Sequence, residues 1–347
     1  MSEFSNQDRL TLQMIQARVP LVREPYARLA AELECDEGDL LDRLSRLRAA
    51  DGVVREISGV FDAGSLGYRQ VLAAFAVGSA GMDGAGQAVA AHPGVSHCYA
   101  RQGRYDLWFT LAVSPASSLG MEATLARLAD QANARASLML PATRCYKLRL
   151  TMPLLMNGLD LDETSLEPPV GPFPPRPAPP SEEQVRAVRA LQVDLPNRPD
   201  PFSGLAELHG LGADMLLVHA ADLLAAGRMR RYAAVLRHRA AGAMANVLVA
   251  WRADPQAAEA AGIAAAQVQA ISHCYLRRQE VDWPYSFYTM IHGRDRPSCL
   301  RTIDHVAAVT GLEDRAELWT VKEYKKQRVR FFTDHESKWE RQTEGRQ

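Results

Sequence analysis

The stretches "ISHCYLRRQEVDWPYSFYTMIHGR" (residues 271–294) and "VSHCYARQGRYDLWFTLA" (residues 95–112) are two versions of one segment. Each has a Ser-His-Cys-Tyr core, a polar turn and a second apolar run, the pattern of a β-hairpin. His97 maps onto His273 with an offset of 176, and Gly67 onto Gly242 and Arg55 onto Arg230 with an offset of 175. The chain is an internal duplication, collinear almost without gaps. Between the copies lies "EPPVGPFPPRPAPPSEE", with eight prolines in positions 168–180. Such a stretch favours polyproline II and acts as a semi-rigid spacer.

Outward from the first hairpin, "QVLAAFAV" reads as a strand and "DGAGQAVAAH" as a helix before it. "SSLGMEATLARLADQAN" reads as a helix after it and "CYKLRLTM" as a closing strand. The order βαββαβ is the ferredoxin-like arrangement, an antiparallel sheet with both helices on one face. The second half repeats it through "ANVLVAW", "PQAAEAAGIAAAQV", the hairpin, "RPSCLRTIDHVAAVT" and "ELWTVKEY". Ahead of each sheet, apolar residues at helical spacing predict three short helices running into a strand, a helix-turn-helix layout. The expected fold is α+β, a tandem duplication. Helix-turn-helix domains cover 1–58 and 183–232, and ferredoxin-like domains cover 59–156 and 233–333. A proline-rich linker covers 157–182 and a tail 334–347.

The chain has 347 residues, 47 % apolar and 23 % charged, with a formal net charge of −1. That balance gives no global field to recruit nucleic acid or an anionic membrane. Neither a leader-like N-terminus nor a run of about 18 apolar residues is present, so no transmembrane helix is expected. Five scattered cysteines form no zinc spacing, which fits a reducing cytoplasm.

A helix-turn-helix suggests DNA, but the charges oppose it. The candidate recognition helix "DEGDLLDRLSRLRAAD" has five acidic residues against three arginines, and its counterpart "GADMLLVHAADLLAAG" has two aspartates and no Lys or Arg. Phosphate contacts supply most of the affinity for DNA, so packing or dimerisation is the expected role of these helices.

Strand side chains alternate between faces. His273, Tyr275 and Arg277 therefore share one face, as do His97, Tyr99 and Arg101, with Cys274 and Cys98 turned away. That disfavours a Cys-His dyad. "RRYAAVLRHRAAG" (230–242) adds Arg237, His238 and Arg239, and the first half has Phe61, Asp62 and Ala63 in "REISGVFDAGSLG" where the second has Leu236, Arg237 and His238. "VKEYKKQRVRFF" (321–332) adds Lys322 and Lys326 among its cations. Arginine forks bind carboxylates bidentately, so the second half suits a ligand with several carboxylates. Trp283, Tyr285 and Tyr288 are placed to flank a flat ring, unless they are core.

Ser-His-Cys-Tyr followed by Asp-Trp-Pro-Tyr, a strand ending Met-Ile-His-Gly-Arg, the Arg-His-Arg segment and a closing Lys-Glu-Tyr-Lys-Lys resemble the siroheme decarboxylases, enzymes with an Lrp/AsnC-like fold. "DLWFTLAV" resembles their second type of subunit, and the fused pair resembles the form that serves heme d1 biosynthesis. The resemblance implies a carboxy-lyase that converts siroheme to 12,18-didecarboxysiroheme by removing CO2 from two acetates. It implies no external cofactor, since the iron enters with the substrate.

The expected site follows from the resemblance. His238 and His273 are the catalytic pair, and one of them is a candidate axial ligand to the substrate iron. Arg237, Arg239, Tyr275, Arg277, Trp283, Tyr285, His292, Lys322 and Lys326 bind substrate, with His97, Tyr99 and Arg101 in the first half. The first half lacks the Arg-His-Arg and Met-Ile-His segments, which makes it the weaker copy. Expected partners are siroheme, its mono- and didecarboxylated products and other tetrapyrrole-pathway enzymes, without nucleic acid or membrane. The two halves pair within the chain, with a homodimer left open. The alternative is an Lrp/AsnC-type regulator or a tetrapyrrole-binding sensor.

Overall fold

A computed structural model describes residues 4–49, 52–148, 171–172, 178–236 and 245–344. The chain opens with α1 (Asn6–Ala17), α2 (Pro25–Glu32) and α3 (Glu37–Arg48), which lead into β1 (Val54–Phe61). The second half repeats this with α6 (Glu182–Leu191), α7 (Pro201–Leu208), α8 (Ala213–Ala225) and β8 (Met229–Leu236). Ser5 and Ser181 begin α1 and α6 through capping boxes with Asp8 and Gln184, answering backbone N–H groups that a helix start leaves open.

The two helical units form one body. Leu12, Leu29, Leu40 and Leu44 share a core with Leu191, Phe202, Leu216 and Leu223, and β1 pairs antiparallel with β8. All three arginines of α3 are engaged by acids. Arg46 lies 2.9 Å and Arg43 3.8 Å from Asp8, and Arg48 lies 3.1 Å from Asp194 of the other unit. These helices pack against their counterparts, and the cations of α3 are already committed.

The ferredoxin-like units follow. In the first, β2 (Arg69–Ala76), α4 (Met82–Ala91), β3 (Val95–Arg101), β4 (Leu107–Val113), α5 (Gly120–Gln131) and β5 (Ala136–Leu140) give the sheet order β5-β2-β4-β3. In the second, β9 (Ala245–Trp251), α9 (Ala258–Ala266), β10 (Ile271–Arg277), β11 (Phe287–Gly293), α10 (Arg296–Thr310) and β12 (Arg315–Lys326) give β12-β9-β11-β10. Alternation divides the side chains cleanly. Val71, Ala73, Phe75 and Phe109 face α4 and α5, and Val249, Trp251, Phe287 and Ile291 face α9 and α10. The opposite residues, Leu72, Ala74, Trp108 and Leu140 with Ala250, Tyr288 and Leu318, form one core shared by both halves. The two sheets therefore pack face to face.

Two strands cross between halves. β12 pairs first with β9 and then, from Thr320 onward, with β3 of the other half. In the first half β6 (Ala142–Leu148), separated from β5 by Pro141, pairs with β10. Gly171–Pro172 of the linker forms β7, which adds to β6. The single closing strand expected at 145–152 is thus two strands. Ala136–Leu140 closes its own sheet and 142–148 closes the other, while 149–152 lie outside the described residues.

The stretch expected as a tail holds α11 (His335–Glu344), docked on the first half. Trp339 packs edge-on to His92 with ring centroids 4.3 Å apart. The Ser114 backbone N–H donates to Glu336, and the Ser118 hydroxyl donates to Glu340 at 2.7 Å. Among the described residues no single helix is long and apolar enough to cross a membrane.

Candidate functional site

His273, Tyr275 and Arg277 lie on the inner face of β10, and Cys274 lies in the core beneath α9. The first half reproduces this with His97, Tyr99 and Arg101 on β3 and Cys98 beneath α4. Burial raises the Cys98 thiol to about 12 and raises Cys274 as well, so neither supplies a thiolate.

The two arginines are anchored alike. Arg277 Nη1 donates to the Leu140 carbonyl and Arg101 Nη1 to the Leu318 carbonyl, each at 2.8 Å. Each guanidinium lies over its neighbouring tyrosine, Arg277 over Tyr275 and Arg101 over Tyr99, at 5.1 Å from the ring centroid. In both, the buried Nε–H has no hydrogen-bond partner. A buried cation with an unanswered donor is costly, and a carboxylate satisfies both needs.

His273 is half-buried by surface, yet desolvation dominates it. Burial, then the nearby basic side chains of His292, His97 and Arg277, depress its pKa to about 3, so the imidazole is neutral at physiological pH. The influence of His97 means that the two repeat histidines face the same interior. The Ser272 hydroxyl oxygen lies 2.7 Å from His273 Nδ1 and 2.9 Å from His292 Nε2. In the first half Ser96 lies 3.0 Å from His97 Nδ1.

The cations divide differently from the expectation. Lys326 pairs across from His97 and shares its face, with Arg55 nearby. Lys322 points the other way and binds Asp83 of α4 at 2.6 Å. The reason is that β12 shifts register between Thr320 and Lys322 and again between Glu323 and Lys325. Opposite His273 stands Leu148, and opposite Tyr275 stands Cys145. Arg230 pairs with Asp62, and its charge reaches Tyr275 and Cys145. Arg237, His238 and Arg239 lie outside the described residues.

Of the aromatics, Trp283 and Tyr288 are core. The Trp283 indole N–H donates to the Tyr288 hydroxyl at 2.7 Å, and its ring packs on Tyr105 and Trp108 of the first half. Tyr285 is half-buried beside Trp283, 4.9 Å between centroids. Trp283 and Tyr285 hold the hairpin end of the sandwich, whereas Tyr288 pairs with Tyr275 and its ring lies 5.7 Å from the Arg277 guanidinium. Ser272 and Cys145, with Arg230 reaching them from β8, are the residues that residue-type scanning passes over. For Ser272 the signal was present, since serine precedes histidine in both repeats. No cluster of three or more metal-ligating side chains occurs among the described residues.

This architecture and face define a class, a helix-turn-helix joined to an AsnC-like ligand-binding domain and used twice. The family model described as the AsnC-like ligand binding domain matches residues 65–147 and 240–325, and the siroheme decarboxylase NirDL-like HTH domain matches residues 8–55. A siroheme decarboxylase of Hydrogenobacter thermophilus is 31 % identical over 94 % of this chain and 96 % of its own. A siroheme decarboxylase beta subunit of Desulfovibrio desulfuricans is 37 % identical over 44 % of this chain and 97 % of its own. The crystal structure of the siroheme decarboxylase NirDL in complex with an iron-uroporphyrin III analogue superposes with a TM-score of 0.79 at 28 % identity, covering 98 % of this chain and 99 % of that one. The chain belongs to the siroheme decarboxylase family.

Proposed function

We propose that the chain converts siroheme to 12,18-didecarboxysiroheme, removing CO2 from two acetate side chains in the supply of heme d1. The observation that carries this reading is the inner face of β10. There a histidine kept neutral by burial stands beside a buried arginine whose Nε–H is unanswered. The full-length likeness to a relative solved with a carboxylate-rich iron porphyrin supports it.

Losing CO2 leaves an electron pair on the ring-attached carbon, and the conjugated macrocycle spreads that charge. The carbon then needs a proton. A histidine is suited to deliver it, because modest changes in surroundings move its pKa across the working range. Burial holds His273 neutral, and the carboxylates of the substrate would draw its pKa upward and load the acid. Arg277 holds a carboxylate through its unanswered donor and fixes the reacting acetate against the ring of His273.

In this reading Arg237, His238 and Arg239 complete the cleft, and His238 would hold the substrate iron while His273 carries the proton. Lys326, His97, Tyr99 and Arg101 belong to the first-half face. No external cofactor takes part, and the reaction is cytoplasmic carbon–carbon lyase chemistry. The partners are siroheme and its mono- and didecarboxylated products. Anaerobic incubation of the protein with siroheme, followed by mass spectrometry, tests the proposal. Successive loss of two CO2 units is expected, and bound but unchanged siroheme would overturn it.

A further inference from the structure

The two crossing strands repeat one another on their outer side. Arg144 of β6 and Lys322 of β12 each bind an acid at the start of a helix, Glu259 of α9 at 2.7 Å and Asp83 of α4 at 2.6 Å. The Tyr146 and Tyr324 hydroxyls donate to those same acids at 3.1 and 2.7 Å. Lys147 and Lys325 each donate at 2.7 Å to a carbonyl at the far end of that helix, Ala266 and Ala90. Their inner side differs. Opposite Tyr275 stands Cys145 and opposite His273 stands Leu148, whereas opposite Tyr99 stands Glu323 and opposite His97 stands Lys326. The Tyr99 hydroxyl is turned to the Glu323 carboxylate as a donor, and the Tyr275 hydroxyl to the Cys145 sulfur.

We propose that these inward positions choose the row that receives the substrate, an assignment that rests on the decarboxylase reading above. Glu323 claims the Tyr99 hydroxyl and turns carboxylates away from the first-half row. Cys145, at the equivalent place, leaves the Tyr275 hydroxyl to a carboxylate of the tetrapyrrole.

A thiol sulfur is a weak acceptor and a carboxylate a strong one. A substrate carboxylate therefore gains by taking the Tyr275 hydroxyl from Cys145. At Tyr99 it would only exchange one carboxylate for another, and it would stand against Glu323, where like charges brought together are costly. Lys326, the cation that shares the row of His97, is itself drawn to Glu323. Beside Tyr275 the Arg277 guanidinium keeps its unanswered Nε–H, and the crossing strand offers it a thiol and not a carboxylate. Arg101 is anchored as Arg277 is, and both hairpins carry the His-Tyr-Arg row. The discrimination thus lies in the strand that each half lends to the other.

Equilibrium binding of iron-uroporphyrin III to the full chain tests this. Tyr275→Phe is expected to weaken binding about 10-fold, the low end for a hydrogen bond to a charged group. Adding Glu323→Ala to Tyr275→Phe restores most of the affinity, because the Tyr99 hydroxyl is released to the porphyrin, and adding Tyr99→Phe as well removes it again. Asp83→Asn deletes the same charge on the outer side and leaves Tyr275→Phe weak. Phe keeps the shape of tyrosine and Glu323 is exposed to solvent, so these variants fold. Parental affinity in Tyr275→Phe would overturn the assignment. So would failure of Glu323→Ala to restore it, or an equal restoration by Asp83→Asn. A parent that binds the iron porphyrin and leaves siroheme unchanged in anaerobic incubation sinks the decarboxylase reading, an outcome distinct from any of these affinities.

Discussion

His273 shows how position sets chemistry. The same imidazole on the surface would titrate near 6.5, but burial first, and then the basic side chains of His292, His97 and Arg277, hold it at about 3. His92, buried between Gly94 and Trp339, is likewise held at about 3. A histidine lowered in the folded state leaves the unfolded chain binding more protons between pH 3 and 6.5, so stability rises with pH across that window. Glu336, raised from 4.5 to about 7, acts oppositely and lowers stability as pH rises through its own window. Urea midpoints should therefore climb less steeply with pH in His92→Asn than in the parent, since the Asn carbonyl keeps the bond from the Gly94 N–H. An unchanged slope would contradict the burial argument. At this scale the alternation rule placed His273, Tyr275 and Arg277 together from residues alone. The expectation that Lys322 and Lys326 act together failed, because register shifts in β12 turn Lys322 toward Asp83 and keep Lys326 beside His97, and no residue type in that run announces a bulge.

At the scale of elements, the crossing strands hold the two inner faces in register. Tyr324 of β12 rests on Gly86 of α4, and Tyr146 of β6 rests on Gly262 of α9. A Cβ at these glycines would lie 2.5 and 2.4 Å from the rings. Gly86→Ala and Gly262→Ala are each expected to cost about 1–3 kcal/mol of stability in urea unfolding, the usual range for overpacking. A variant as stable as the parent would mean that the tyrosines do not bear on the helices. The two crossings were only half legible. β12 was read as one strand, but Pro141, which divides β5 from β6, lies between the helix read at 117–133 and the strand read at 145–152, so β5 was passed over. Helix α11 was missed for a different reason. Its sequence is almost wholly polar, and a single large apolar residue, Trp339, anchors it. Trp339→Ala should cost about 3 kcal/mol or more and expose the chain near residue 333 to limited proteolysis.

Across the whole molecule, neither sheet is complete without the other half, because β6 closes onto β10 and β12 onto β3. Relatives that exist as separate alpha and beta subunits each match less than half of this chain. Two pieces divided in the linker near residue 165 should therefore be insoluble or aggregated alone, and should form a 1:1 complex when co-expressed. A second half that is folded and monomeric alone, by size-exclusion chromatography with light scattering, would contradict this. The duplication and the fold of each half followed from repeat offsets and hydrophobic spacing. The swap did not, because pairing between distant strands leaves no mark on local periodicity.

The central claim is that the second-half face performs the decarboxylation. Mass analysis of siroheme products from His273→Ala and His97→Ala, each incubated anaerobically beside the parent, tests it most directly. The account predicts that His273→Ala leaves siroheme intact, a loss of about 10²-fold or more, while His97→Ala still yields the doubly decarboxylated product. Equal loss in both variants would contradict it.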